Sequence, residues 1–299
     1  MEFVAGIDGG GTKTTLLCWS TKGDEIQEKT FGAFNINSIG EDAFKLLLNE
    51  ISAELSSLGK CLHLVIGAAG ISNNRMSAIA DEVFSGFNIP YTLVGDHVIA
   101  LEGAHEGKEG LAVIAGTGSI CFGKGSDGTI ERTGGWGHII GDEGSAYALG
   151  RDSLKAIAED IDGCGGKTVL RALVSARHGL ETREDIIRFV YNGDKADIAS
   201  IAPCVDIAYR DGDDVAIKIV RENAMLLAYQ MQAVLKKLDL KHAYAAFFGG
   251  LIDKDTPFRM ELIKALEDIN AGIEYRKPMH NAATGAVMLA LKKSKEMTT

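Results

Sequence analysis

Phe3-Val-Ala-Gly-Ile-Asp8-Gly9-Gly10-Gly11-Thr12-Lys13-Thr14-Thr-Leu-Leu-Cys-Trp19 is two apolar runs, 3–7 and 15–19, joined by a polar turn. β-Branched and aromatic residues on both sides read as two strands of a hairpin with glycines at the bend. Three consecutive glycines let backbone N–H groups surround an anion that side chains would keep away. Thr12 and Thr14 add hydroxyls, and Lys13 adds a positive charge. Asp8 ends the first strand, where its carboxylate can face a hydrated divalent cation. The plainer reading is a glycine hairpin with no ligand; the acidic residue before the turn and the hydroxyls within it weigh against that. No Gly-Lys-Ser/Thr leads into a helix, so the turn is not a Walker A loop, and the Gly-x-Gly-x-x-Gly strand-to-helix context of a dinucleotide fold is also missing.

A chain of 299 residues is long for one core, and two domains are expected. With 46% apolar residues it can bury a large core, while 36 glycines against 4 prolines suit the tight turns of an α/β protein. The net charge of −10, with no basic cluster, argues against nucleic acid and anionic membrane as partners. Cys18, Cys61, Cys121, Cys164 and Cys204 are scattered with no Cys-x-x-Cys pair, which fits a reduced, cytoplasmic setting and gives no support to zinc ligation. A strand begins within three residues of Met1 and no apolar run reaches about 18 residues, so neither a signal peptide nor a membrane span is expected.

Glu25–Phe31 alternates like a third strand. The loop 32–40 that follows carries Asn35 and Asn37, whose side chains offer donors and acceptors to a neutral ligand or simply satisfy their own backbone. Residues 41–58 have the 3.6-residue apolar period of a helix. A buried strand over 62–68 ends in Gly67-Ala-Ala-Gly70, a helix covers 73–85, and a strand over 90–94 leads into Gly95-Asp96-His97. A carboxylate at the carboxyl end of such a strand faces the crevice where α/β sheets bind ligands. An N-cap of the next helix, 98–105, is an equally good reading of Asp96. His97 reads as structural or as a group standing behind Asp96.

At Leu111–Gly123 the opening pattern recurs: an apolar run, the turn Gly116-Thr117-Gly118-Ser119, and a second apolar run. About 105 residues separate the two turns, close to one domain length, as in duplicated halves that share a nucleotide. A hairpin turn at 125–130 precedes Gly134-Gly135-Trp136-Gly137-His138, where a tryptophan between glycines is neither helical nor an ordinary core residue. Asp142-Glu143-Gly144-Ser145 reads as the cap of a helix starting near Ala146. Helices are expected over 146–160, 167–177, 182–191, 195–209 and 211–238. A strand over 244–248 runs into Gly249-Gly250, a helix covers 257–267, a last strand covers 272–275, and a terminal helix over 282–293 shows a face of small residues.

Taken in order, Asp8-Gly-Gly-Gly-Thr-Lys-Thr14, Ala115-Gly-Thr-Gly-Ser119, Gly134-Gly-Trp-Gly137, Gly141-Asp-Glu-Gly-Ser145, Phe248-Gly-Gly-Leu251 and Ala282-Ala-Thr-Gly-Ala286 resemble the BadF/BadG/BcrA/BcrD ATPase family. Within it they resemble the N-acetylglucosamine kinases, members of the sugar kinase, heat-shock chaperone and actin superfamily. The likeness spans the chain. It implies an α/β fold of two ribonuclease-H-like, actin-like ATPase domains flanking a nucleotide cleft, with extra helices in the second. The first domain would be 1–113, joined by the terminal helix 282–299, and the second 114–281. By motif position, Gly9, Gly10, Gly11, Thr12, Lys13 and Thr14 would form the first phosphate loop and Gly116, Thr117, Gly118 and Ser119 the second, with Gly249 and Gly250 against the adenosine. Asp96 matches the catalytic base, and Asp8 would meet Mg²⁺ through water. Asn35, Asp96, Gly135, Trp136, Gly137, His138 and Asp142 would contact the sugar, with Asn37 an alternative to Asn35. Gly95 and His97 depart from the family's usual Asn and Ala around the base.

The resemblance therefore implies an ATP- and Mg²⁺-dependent kinase in which Asp96 takes the proton from the 6-hydroxyl of an amino sugar, N-acetylglucosamine first. Glucosamine and N-acetylmuramic acid are alternatives. It further implies a cytoplasmic homodimer acting on a small molecule, with neither nucleic acid nor membrane as partner. An ATPase activator of an acyl-CoA dehydratase is the rival in the same family, and Cys164 is the one cysteine in a suggestive loop. Sugar-responsive regulators of the wider superfamily carry a DNA-binding segment ahead of the first loop, for which a loop beginning at residue 8 leaves no room.

Overall fold

One strand order occurs twice in the chain. The computed structural model describes residues 1–69 and 74–296. Gly70 of the expected Gly67–Gly70 turn and Asn73 at the expected helix start lie outside the described residues. The chain divides into two units, Met1–Lys108 with Pro278–Thr299, and Glu109–Lys277.

The first unit holds strands β1 (Glu2–Gly9), β2 (Thr14–Ser20) and β3 (Glu25–Phe31), helices α1 (Ile36–Ile39) and α2 (Glu41–Leu58), strand β4 (Lys60–Ala68), helix α3 (Asn74–Gly86), strand β5 (Tyr91–Gly95) and helix α4 (Asp96–His105). Its sheet runs β3-β2-β1-β4-β5. β1 and β2 are antiparallel, as are β2 and β3, whereas β1, β4 and β5 are parallel. Parallel strands need a crossover, supplied by α2 and α3. One face of β1 buries Phe3, Ala5 and Ile7 against Phe44, Leu48 and Ile51 of α2 and Phe84 of α3. Each such large side chain contributes roughly 1.5–3 kcal/mol when fully buried. The stretch expected to be a simple loop, 32–40, contains the short helix α1, because the Asn35 side chain accepts the Asn37 N–H and caps it.

The second unit holds β6 (Gly110–Ala115), β7 (Ser119–Lys124), β8 (Ile130–Gly134), α5 (Ala146–Asp162), α6 (Leu170–His178), α7 (Arg183–Asn192), α8 (Lys195–Ala199), α9 (Ala202–Arg210), α10 (Asp214–Lys237), β9 (Ala243–Phe248), α11 (Pro257–Asp268) and β10 (Ile273–Tyr275). Its sheet runs β8-β7-β6-β9-β10, with the same two antiparallel and two parallel pairings as the first. The helix expected over 195–209 is two helices. Pro203 has no N–H to continue the ladder, and the chain breaks at Ser200–Ile201 before α9 restarts. The helix expected from 211 begins at 214, where Asp213 caps it by accepting the Ala216 N–H.

The terminal helix α12 (Ala282–Glu296) returns to the first unit. Its small face, Ala283, Ala286 and Ala290 with Val287, covers the second face of that sheet at Val4, Leu17 and Val65, together with Ile99 of α4. β1 is thus buried on both faces, which is why residues 3–7 read as a continuous apolar run. Contact is close enough that a Cβ on Gly6 would stand 2.2 Å from the Val287 nitrogen.

Candidate functional site

In the first unit the β1–β2 turn closes when the Gly10 N–H donates to the Lys13 carbonyl at 3.0 Å. Gly11, Thr12 and Lys13 are exposed at the bend. Among the described residues the amides of Gly11 and Thr12 donate to no protein acceptor, which leaves them for a ligand. Gly9 is buried within β1. Thr14 is fully buried and donates its hydroxyl to the Gly32 carbonyl at 2.6 Å. Its part in the turn is to fasten the strand ends, and the exposed hydroxyl is that of Thr12.

Asp8 sits one residue before the turn, half-buried. Burial raises its pKa above the ordinary carboxylate value; the charge of Asp96 raises it further, and Lys13 opposes both. Gly9, Ala68 and Gly95 stand side by side across β1, β4 and β5. Asp96 therefore leaves the sheet at the same edge as the turn, two strands away. It is the first residue of α4, whose N-cap is Gly95, so the expected alternative of an Asp96 side-chain cap does not hold. Its Oδ1 accepts the His97 N–H at 2.8 Å and lies 3.6 Å from His97 Nδ1. Hydrogen bonding from the His97 side chain, and then from its amide, holds the Asp96 carboxyl below the ordinary range against the opposing effect of burial.

Gly95 and His97, the two departures around Asp96, belong together. A Cβ at position 95 would meet His97 Cε1 at 2.2 Å and Nδ1 at 2.5 Å. The imidazole occupies the space that any other residue at 95 would fill. A cavity of about 150 Å³ opens beside the turn, lined by Gly9, Gly11, Phe34, Asn35, Asn37 and Met76 among others. Both asparagines reach it. Asn35 spends one acceptor on Asn37 N–H at 3.1 Å and keeps its side-chain amide.

In the second unit the β6–β7 turn repeats the pattern. The Gly116 N–H donates to the Gly118 carbonyl at 2.9 Å, and the carbonyls of Gly116 and Thr117 accept the Ala146 and Tyr147 amides at 2.8 and 3.3 Å. The turn is thereby seated on the N-terminus of the 17-residue helix α5, whose dipole favours anions there. The Ser145 side chain caps that helix through the Ala148 N–H at 3.2 Å. Among the described residues the amides of Thr117 and Gly118 donate to no protein acceptor. Ser119 is buried, its N–H donated to Asp142 Oδ1 at 3.2 Å and its hydroxyl to the Glu143 carbonyl at 2.7 Å. Of the four residues expected to bind phosphate here, Ser119 thus holds the turn to the 142–145 loop.

Asp142 is buried, with φ +67, and its second oxygen lies 2.5 Å from Lys195 Nζ on α8. The Asp142 carboxylate is thus shared between the Ser119 amide and Lys195. The loop is held from behind by Asn223 of α10, which accepts the Gly144 N–H at 3.1 Å and donates to Asp152 at 2.8 Å. Gly135 and Gly137 are exposed and flank Trp136, which is 69% exposed. The His138 ring packs edge-on to Tyr147, centroids 5.0 Å apart.

A cavity of about 630 Å³ runs from Gly116 and Thr117 to Gly250 and Leu251, walled by Ala199, Ala202, Pro203, Asp206, Ile207 and Arg210. Gly249 and Gly250 reach the turn because β9 is paired with β6 and the Leu251 N–H donates to the Ala115 carbonyl at 3.2 Å. The size suits a small-molecule pocket, and the lining is mainly apolar. Its α8–α9 wall escapes the sequence reading, although Pro203 inside an apparently helical run marks the break that forms it. Cys164 is exposed, and the other four cysteines are buried.

Two β-sheets of one topology, each ending in a glycine turn with free amides, define an α/β protein of the actin-like ATPase class. A family model for the BadF/BadG/BcrA/BcrD ATPases matches residues 5–290, and the chain belongs to that family. It is 35% identical over 97% of its length to an N-acetylmuramic acid/N-acetylglucosamine kinase of Clostridium acetobutylicum, of which 98% is covered. It is 28% identical to an N-acetyl-D-glucosamine kinase of Dictyostelium discoideum, covering 98% of this chain and 99% of that one. The crystal structure of a candidate N-acetylglucosamine kinase from Chromobacterium violaceum superposes with a TM-score of 0.71 at 25% identity, covering 97% of this chain and 98% of that one. Among the described residues no helix is long and apolar enough to cross a membrane, and no group of three His, Cys, Asp or Glu could hold a metal.

Proposed function

We propose that this protein transfers the γ-phosphoryl group of ATP to the 6-hydroxyl of an N-acetylated amino sugar, N-acetylglucosamine first and N-acetylmuramic acid second. The single observation that carries this reading is Asp96, an ionised carboxylate at the carboxyl edge of the sheet that also bears Asp8 and the first glycine turn. Each unit offers one phosphate turn: amides of Gly11 and Thr12 with the Thr12 hydroxyl in the first, amides of Thr117 and Gly118 on the α5 N-terminus in the second. The large cavity beside Gly250 suits a nucleobase and ribose.

Asp96 accepts the proton of the sugar hydroxyl as that oxygen attacks the phosphorus. The oxygen gains a bond to phosphorus while the bond to the ADP leaving oxygen breaks. Phosphoryl transfer depends mainly on positioning and on offsetting charge, which preorganised amides supply without rearrangement. Asn35, with Asn37 beside it, and the Gly135-Trp136-Gly137-His138 turn with Asp142 are the sugar contacts in this reading.

Mg²⁺ fits at Asp8. Burial and Asp96 leave its negative charge undercompensated, with Lys13 as the opposing cation. A Mg²⁺ ion usually takes one or two carboxylates, and phosphate and water complete its shell. When bound, the ion would neutralise charge on the phosphates. ADP release measured with N-acetylglucosamine, N-acetylmuramic acid, glucosamine and N-acetylmannosamine tests the proposal. Sugar-dependent ADP release with the first two sugars supports it, and none with any of the four overturns it. The reduced thiols and the need for ATP suit action in the cytoplasm, and a homodimer is the proposed assembly, checked by light scattering.

A further inference from the structure

We propose that Lys195 is the cation that binds the terminal phosphate of the nucleotide, at the end of the second phosphate turn away from the base. This rests on reading 116–119 as a phosphate turn. Lys195 opens α8, in a segment that no sequence motif singled out. A Cβ on Gly118 would lie 2.5 Å from Lys195 Nζ and 3.0 Å from Asp142 Oδ1. Ammonium and carboxylate are therefore both pressed against the bare face of Gly118, whose own amide has no protein acceptor among the described residues.

Order along the turn identifies which phosphate the ammonium meets. The large cavity touches the turn at Gly116 and Thr117, and Lys195 is not among its lining residues. Lys195 stands at the next residue, 118, on the side where Asp142 accepts the Ser119 amide. A nucleotide with its base in the cavity and its phosphates over the turn presents its last phosphate to Lys195.

Charge gives a second reason. Asp142 is buried with one oxygen on the Ser119 amide, so a phosphate arriving at Gly118 meets a fixed carboxylate. Without Lys195 that encounter is repulsive; with it, the ammonium bridges carboxylate and phosphate. The lysine side chain is 31% exposed and keeps donors for an incoming oxygen. A compact ammonium on a flexible stem suits a phosphate whose charge shifts during transfer.

The test is calorimetry of the full chain with magnesium and either ADP or a non-hydrolysable ATP analogue, on wild type, Lys195→Gln and Lys195→Arg. A charge-assisted contact predicts that Lys195→Gln binds the analogue roughly 10- to 100-fold more weakly and ADP within about threefold of wild type. Lys195→Arg should recover most of the loss. A merely structural role would weaken both nucleotides alike. If Lys195→Gln fails to fold, the double variant Lys195→Met with Asp142→Asn removes both charges, and the same comparison is made on it. Equal losses for ADP and analogue, or none for either, overturn the assignment of Lys195 and leave the kinase reading in place. Failure of the wild type to bind either nucleotide overturns both.

Discussion

Asp8 and Asp96 leave one sheet at the same end, on strands separated by β4, and burial first and the Asp96 charge second raise the pKa of Asp8. Their proton affinities are set in opposite directions. Burial raises that of Asp8, and hydrogen bonding from His97 lowers that of Asp96. Two carboxylates pushed apart in this way suit two roles, a cation contact and a base ionised at neutral pH.

Asp96→Asn should lower kcat by roughly 10²- to 10⁴-fold, the usual contribution of general-base catalysis. Nucleotide affinity, read by calorimetry, should stay within about threefold of wild type. Near-normal turnover in the variant would remove Asp96 from its role.

Asp8→Asn should abolish most activity and yet stabilise the ligand-free protein at neutral pH. The folded-state pKa of Asp8 lies above its unfolded value, so between the two the folded state holds more protons. Stability therefore falls as pH rises through that window, and the cost is fully present above the folded-state pKa. Removing the charge should raise the melting temperature at pH 7, on the order of 2–4 °C per kcal/mol relieved. The gain should vanish below the unfolded carboxylate pKa. Melting curves of both proteins at pH 7 and at a pH below the ordinary carboxylate value check the sign.

His97→Ala should shift the acid limb of the kcat profile to higher pH, because the hydrogen bonds that hold Asp96 low are weakened. Gly95→Ala should shift it the same way by displacing the imidazole. At neutral pH kcat should change by less than about tenfold. An unmoved acid limb in both variants would show that His97 does not act on Asp96.

Trp136→Ala should raise the KM for sugar at least tenfold while moving the melting temperature by only a degree or so. The side chain is 69% exposed, and substitutions at such positions stay within about 0.5 kcal/mol. A large loss of stability with unchanged KM would assign Trp136 to packing instead.

What the sequence makes legible follows the range of the forces involved. The hairpin at 3–19, the helix at 41–58 and the repeat of the turn at 116–119 are written in local periodicity and glycine placement, and the structure has all three. The duplication extends further than the turns. Gly10 accepts the Phe34 amide at 2.9 Å as Gly116 accepts that of Ala146 at 2.8 Å. Long-range pairings are less visible. Nothing local shows that the Thr14 hydroxyl goes to Gly32, or that Lys195 reaches Asp142. The α8–α9 break and the cavity wall it builds are hidden because apolar spacing continues across Ser200 and Ile201. Gly95 and His97 look like two separate departures in the sequence and become one when the ring is seen lying where a Cβ would be.

The most direct test is nuclear magnetic resonance of the product formed from ATP, magnesium and N-acetylglucosamine labelled with ¹³C at carbon 6. One ADP per sugar consumed and a ³¹P–¹³C coupling at that carbon are expected. ADP appearing with inorganic phosphate alone, whether or not sugar is present, would contradict transfer to the sugar.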